Sequence, residues 1–161
     1  MHELENKWTL YSHFSNDTKW DETSYKKICE ISCVEEALVL FDLITNDLFQ
    51  SVMFFLMRDD IKPMWEVDEN ANGGAFSFKV SMDNIQKTWT NICFQCIGET
   101  LIDIDTAIGN KYINGISFSP KKSFGILKIW TKSCEIQEPN VINYFDGMTK
   151  EGCIFKKHIS Q

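Results

Sequence analysis

The stretch VMFFLMRDDIKPMWEVDENANGGAFSFKV, residues 52–80, sets the frame for the rest of the chain. It opens with Val52–Met57, an unbroken apolar run of strand length, which predicts a strand buried on both faces. Arg58–Pro63 is polar and carries a proline, so it reads as a loop, with Trp65 and Glu66 just beyond it. Asn72-Gly73-Gly74 is a turn signal, and Ala75–Val80 alternates as the next strand. Upstream, Trp8–Phe14 and Lys26–Ile31 alternate as strands around a polar loop, Ser15–Ser24, that contains Trp20. Ser32 with Glu35 three residues on predicts a capping box and a helix with an inward stripe of Ala37, Leu40, Phe41 and Ile44. Downstream, a second helix is expected over Asp83–Ile97, stopped by Gly98. A hairpin follows, from Tyr112–Ser119 to Phe124–Ser133 around Pro120-Lys121-Lys122-Ser123. A third helix is expected from Pro139 to about Met148, and a last strand over Cys153–Ile159. Strands and helices mix without regular alternation. The expectation is an α+β fold in one domain over residues 1–161, an antiparallel sheet with helices on one face.

The chain has 161 residues, 43% hydrophobic, with a net charge of −7. That balance argues against a general nucleic-acid binder, whose affinity comes from a basic face that neutralises phosphates. A contact with RNA would have to grip one short feature. No stretch approaches the ~20 apolar residues of a membrane span, and the start is neither basic nor apolar, so a cytoplasmic or nuclear monomer is expected. Six cysteines, at 29, 33, 93, 96, 134 and 153, read as reduced thiols. Cys93 and Cys96 form a CxxC pair, but no second pair completes a zinc site, and helical spacing puts both in the core stripe with Trp89, Ile92 and Ile97. No metal and no cofactor is expected.

Trp8 and Trp89 have simple core explanations; Trp20 and Trp65 sit in polar loops. A loop tryptophan is usually a lid over the core, but two of them, one beside an acid, suggest an aromatic clamp. A cationic planar ring between two indoles gains about 2 kcal/mol per desolvated cation–π contact, and stacking adds about 1–3 kcal/mol per base. Glu66 is acceptor-only and calls for adjacent N–H donors in one plane. The N1–H and 2-amino group of guanine provide them, with about 1.5–3 kcal/mol per charge-assisted bond. Methylation at N7 supplies the positive charge that such a clamp rewards.

Ile61-Lys62-Pro63-Met64-Trp65-Glu66 with Asn72-Gly73-Gly74 resembles the eukaryotic translation initiation factor 4E family of mRNA cap-binding proteins. Trp8-Thr9-Leu10, Lys19-Trp20, Ile97-Gly98-Glu99 and Ile129-Trp130-Thr131 match in order from His2 to about Thr131. The resemblance implies a compact, divergent member with a cupped antiparallel sheet, three helices on its convex face and the 7-methylguanosine cap in its concave face. Trp20 and Trp65 would stack on the base, Glu66 would take the guanine edge, and Trp130 would touch the N7-methyl group. The family's phosphate-binding arginine and lysine fall, counted without a gap, on Lys121 and Ile126, with Lys122 adjacent. A lysine is a point charge rather than a bidentate fork, so a rearranged phosphate grip is expected.

The resemblance also implies a second surface, where the convex helices bind a helical motif of the scaffold factor 4G or of repressors that mimic it. His2, Leu4, Val34, Leu38 and Phe94 fall on those positions, with Leu38 where the family carries tryptophan. Two other classes compete with a translation role. One is a decoy or repressor that keeps the fold with altered binding. The other is a cap-modifying enzyme, disfavoured because no clustered acids, Gly-rich cofactor loop or nucleophile elbow occurs.

Overall fold

A computed structural model describes residues 1–103, 111–144, 146–148 and 150–159. Seven strands form one curved sheet: β1 (Glu3–Phe14), β2 (Lys26–Cys33), β3 (Val52–Arg58), β4 (Gly74–Val80), β5 (Ile113–Pro120), β6 (Gly125–Thr131) and β7 (Ile154–Lys157). Their order across the sheet is β2-β1-β3-β5-β6-β4-β7, and all the pairings are antiparallel. Among the described residues, three α-helices complete the α+β fold: α1 (Val34–Leu43), the single turn α2 (Asp68–Ala71) and α3 (Ile85–Ile97).

The position of β3 explains its unbroken apolar run. It lies between β1 and β5, and both of its faces are covered. Phe54 and Leu56 join the main core with Trp8, Phe76, Ile116, Ile129 and the buried stripes of α1 and α3. Phe55 and Met57 point the other way, into a smaller cluster with Trp130, Tyr11, Tyr25, Met53 and Ile61. Helices α1 and α3 therefore occupy one face, and the opposite face carries an aromatic floor. Cys93 and Cys96 are fully sunk in the α3 stripe, and burial pushes both thiols well up from the usual range.

Two local expectations are corrected. Ser32 does not cap α1, because β2 continues to Cys33, which pairs with Glu3. The capping role moves one residue on: Glu36 Oε2 accepts from the Ser32 and Cys33 backbone N–H groups at 2.8 and 3.3 Å. The segment from Pro139 forms only a 3-10 turn, Pro139–Val141, instead of a helix. Its backbone is used elsewhere: Asp103 N–H donates to Val141 O at 2.8 Å and Asn143 N–H to Leu101 O at 2.9 Å, around a bridge between Ile102 and Ile142. The third helix is instead α2, beside Trp65. The last strand, expected over Cys153–Ile159, is β7, where Lys156 pairs with Ala75.

Gly73 shows why its turn needs glycine. A Cβ there would fall 1.8 Å from the Thr131 carbonyl oxygen, so only a bare backbone can cross the end of β6.

Candidate functional site

The sheet face opposite α1 and α3 holds a cleft of about 570 Å³, lined among others by Trp20, Tyr25, Trp65, Glu66, Lys121, Lys128 and Trp130. Four of the residues picked out for stacking and edge recognition thus meet in one place, brought from the β1–β2 loop, the β3–α2 loop and β6. Trp20 and Trp65 are about half exposed, at 52% and 47%, and Glu66 is exposed. Trp130 forms the floor: it is 7% exposed, its Nε1 donates to Ser117 Oγ at 3.0 Å, and its ring meets Phe55 edge-on. The Tyr25 phenol is pushed up to about 12, first by burial and then by the charge of Glu66.

Each exposed indole is held by a buried polar side chain. Trp20 lies flat on the His13 ring, with centroids 4.2 Å apart and an interplanar angle of 4°. The Trp65 loop is held by Asn70, which is 0% exposed. Asn70 Nδ2 donates to the Lys62 and Met64 carbonyls at 3.0 and 2.9 Å, and its Oδ1 accepts from Asn114 Nδ2 at 2.9 Å. His158, whose ring lies 5.2 Å from that of Trp130, places Nδ1 2.7 Å from the Asn70 carbonyl oxygen; burial holds its pKa below the ordinary histidine range. Asn70→Ala removes the side-chain donor from the Lys62 and Met64 carbonyls and leaves one N–H of the Asn114 amide without its acceptor. The expected cost is about 1–3 kcal/mol, seen as a lower urea midpoint, with faster amide exchange over the Trp65 loop.

Of the residues counted as phosphate positions, Lys121 and Ile126 line the cleft. Ile126, Lys128 and Trp130 share one face of β6 by the period of two, and all three line the cleft. Lys128 is therefore the β6 lysine beside Trp130, two residues on from the position counted. Burial, then the nearby ammonium groups of Lys121 and Lys156, lower its pKa. Lys122, exposed on the hairpin, is not among the residues lining the cleft. The alternation of β6 was the sequence signal for Lys128. No sequence signal marked His13 or Asn70, whose contacts run to the Trp20 and Trp65 loops.

On the outer face, a shallow groove of about 400 Å³ runs between α1 and α3, lined by Leu38, Phe41 and Phe94 among others. Leu38 is 55% exposed, while Phe94 packs edge-on against Phe41. Val34 begins α1 one turn before Leu38, and its N–H donates to the His2 carbonyl at 2.9 Å. The His2 N–H donates to Glu35 Oε2 at 3.0 Å, and this bond, with the His2 ring, holds Glu35 down to about 2. Leu4 is half-buried against the core. The structure thus gathers Leu38 and Phe94 at one groove, while Val34 and His2 meet at the start of α1.

Residues 3–151 match the sequence profile described as eukaryotic initiation factor 4E. The translation initiation factor 4E of Dictyostelium discoideum is 28% identical over 141 residues, 83% of this chain and 54% of that one. The isoform 4E factor of Capsicum annuum is 32% identical over 141 residues, 82% of this chain and 65% of that one. The chain thus spans between about half and two thirds of the length of these curated relatives. Among solved structures, Caenorhabditis elegans eIF4E-3, in a complex with the 4E-binding protein Mextli and a cap analog, superposes with a TM-score of 0.71 at 25% identity, over 82% of this chain and 75% of that one. With a profile match across nearly all of its length and the same cupped fold, the chain belongs to the eukaryotic initiation factor 4E family.

Proposed function

We propose that this protein binds the 7-methylguanosine cap of mRNA by stacking the methylated base between Trp20 and Trp65, and that it acts in translation initiation or its regulation. The observation that carries the reading is the meeting of Trp20, Trp65, Glu66 and Trp130 in one cleft that Lys121 and Lys128 also line. The indole faces take the cationic ring, and Glu66 accepts from the guanine N1–H and 2-amino group. Trp130 closes the floor at the N7-methyl side, and the lysines meet the phosphates. The C. elegans relative, solved with a cap analog, supports this assignment. The cleft works as a binding site, and no chemical step is assigned to it.

Partner recruitment belongs to the outer groove. A helical motif of a 4G-like scaffold or of a repressor would lay apolar side chains over Val34, Leu38 and Phe94, as an amphipathic helix does in a groove. With leucine at 38 in place of an aromatic anchor, this contact is weaker unless the partner is matched to it. Leu38→Ala is expected to weaken a scaffold-motif peptide several-fold in a pull-down or calorimetric titration without changing cap affinity. An unchanged affinity for the peptide removes this surface from the account.

The phosphate assignment has its own test. Lys128→Ala should weaken 7-methyl-GTP several-fold, about 1 kcal/mol for a solvent-facing charge, while leaving 7-methylguanosine nearly unchanged. It should also flatten the salt dependence of the nucleotide's binding, because one fewer phosphate contact is made. Equal losses for the two ligands would place Lys128 outside the phosphate site.

A further inference from the structure

His13 lies on β1 beneath the Trp20 loop and is 1% exposed. Its Nδ1 is 2.8 Å from the Phe14 carbonyl oxygen and its Nε2 is 2.8 Å from the Lys19 carbonyl oxygen. A neutral imidazole has one N–H and one lone pair, so it donates to only one of these oxygens and sets a lone pair against the other. Only the imidazolium donates to both. The two carbonyls stand on either side of residues 15–18, so the ring ties the loop at its base, one residue before Trp20. The same ring lies flat against one face of Trp20, which leaves the other face for the cleft. Tyr25 is the titratable group packed against it, with ring centroids 5.1 Å apart, and its phenol stays neutral through the physiological range. Among the described residues no carboxylate forms an ion pair with His13.

We infer that His13 is the positioning residue of Trp20: as a doubly donating imidazolium it fixes the loop that presents the indole to the cleft. This rests on the reading of Trp20 as a cap-stacking ring. A neutral ring would keep one of the two carbonyl contacts and lose the other, so it would hold the loop, and with it the indole, less firmly. His13→Phe keeps a planar ring under Trp20 and removes both donors, so it separates the tether from simple packing.

The test is a titration of wild type and His13→Phe with 7-methyl-GTP near pH 6 and near pH 8.5, with thermal melts to confirm that both are folded. The wild type should bind roughly tenfold more tightly than His13→Phe near pH 6, the size expected for a charge-assisted hydrogen bond, and the advantage should be several-fold smaller near pH 8.5, where one remaining N–H donor keeps it above one. The ligand's own ionisation is common to both proteins and cancels in the ratio. A ratio that is flat with pH, or that grows as pH rises, overturns the inference. If the wild type itself does not prefer 7-methyl-GTP to GTP, the cap reading fails, and His13 is judged by nitrogen-15 spectra of its ring. Two protected ring protons near pH 6 support the tether; a bare nitrogen facing either carbonyl overturns it.

Discussion

Trp65→Ala should lose at least a hundredfold in affinity for 7-methyl-GTP while melting at nearly the wild-type temperature. The stacking face and the cation–π attraction vanish together, about 1–3 and about 2 kcal/mol respectively. The fold is spared because the indole is half exposed and belongs to neither core cluster. Glu66→Gln should act differently. It keeps the shape but removes the charge and turns one acceptor into a donor that faces the donors of guanine, a loss of about 1.5–3 kcal/mol. Its selectivity for guanine over adenine should fall with its affinity, whereas Trp65→Ala weakens every base. Parallel titrations with 7-methyl-GTP, GTP and ATP read both effects. A Trp65→Ala protein that keeps wild-type affinity would show that the cleft does not stack its ligand.

The largest effect on stability is expected at the opposite end of the same loop. Arg58 closes β3 with its side chain 2% exposed. Its Nε donates to the Ile113 carbonyl at 2.8 Å, its guanidinium forks onto Glu99 with the second bond at 2.9 Å, and the plane lies 4.5 Å from the Trp8 ring centroid. Asn6 Nδ2 donates to the same carboxylate at 2.9 Å. Glu99→Gln leaves a buried guanidinium without its counter-charge, which costs about 3–5 kcal/mol. At roughly 2–4 °C per kcal/mol for a chain of this size, the melting temperature should drop by about 10 °C. The double variant Arg58→Met with Glu99→Met should recover much of that loss, because the stranded charge is gone. Glu99 also explains the end of α3. The left-handed residue after the helix is Glu99 itself, at φ 58°, and Gly98 stays at negative φ. The ion pair with Arg58 offsets a backbone conformation that glycine would take more readily. A melting temperature unchanged in Glu99→Gln would mean that Arg58 finds other partners.

The sheet was legible because its strands obey the period of two and because β3, buried on both faces, reads as one apolar run. The helical stripes of α1 and α3 were legible for the same reason at a period of 3.6. Pro139–Val141 misled because proline suits a helix start and a turn equally; what decides is the pairing with residues 101–103, which lies far off in sequence. The gathering of Trp20, Trp65, Glu66 and Trp130 followed from the resemblance, since no local pattern places three loops and a strand around one cleft. The side chains that hold the site were not legible. Nothing in the residues around His13 or Asn70 sets either apart. Each gains its meaning from backbone carbonyls and amides that the fold brings to it, such as the Asn114 amide, 44 residues away.

The most direct test of the central claim is the quenching of tryptophan fluorescence by 7-methyl-GTP, with unmethylated GTP as the control. Quenching should saturate with the methylated nucleotide at far lower concentration, because only that ring is cationic, and it should disappear in Trp65→Ala. Equal quenching by both nucleotides, or none by either, would contradict cap recognition and leave a 4E fold whose working surface is the groove between α1 and α3.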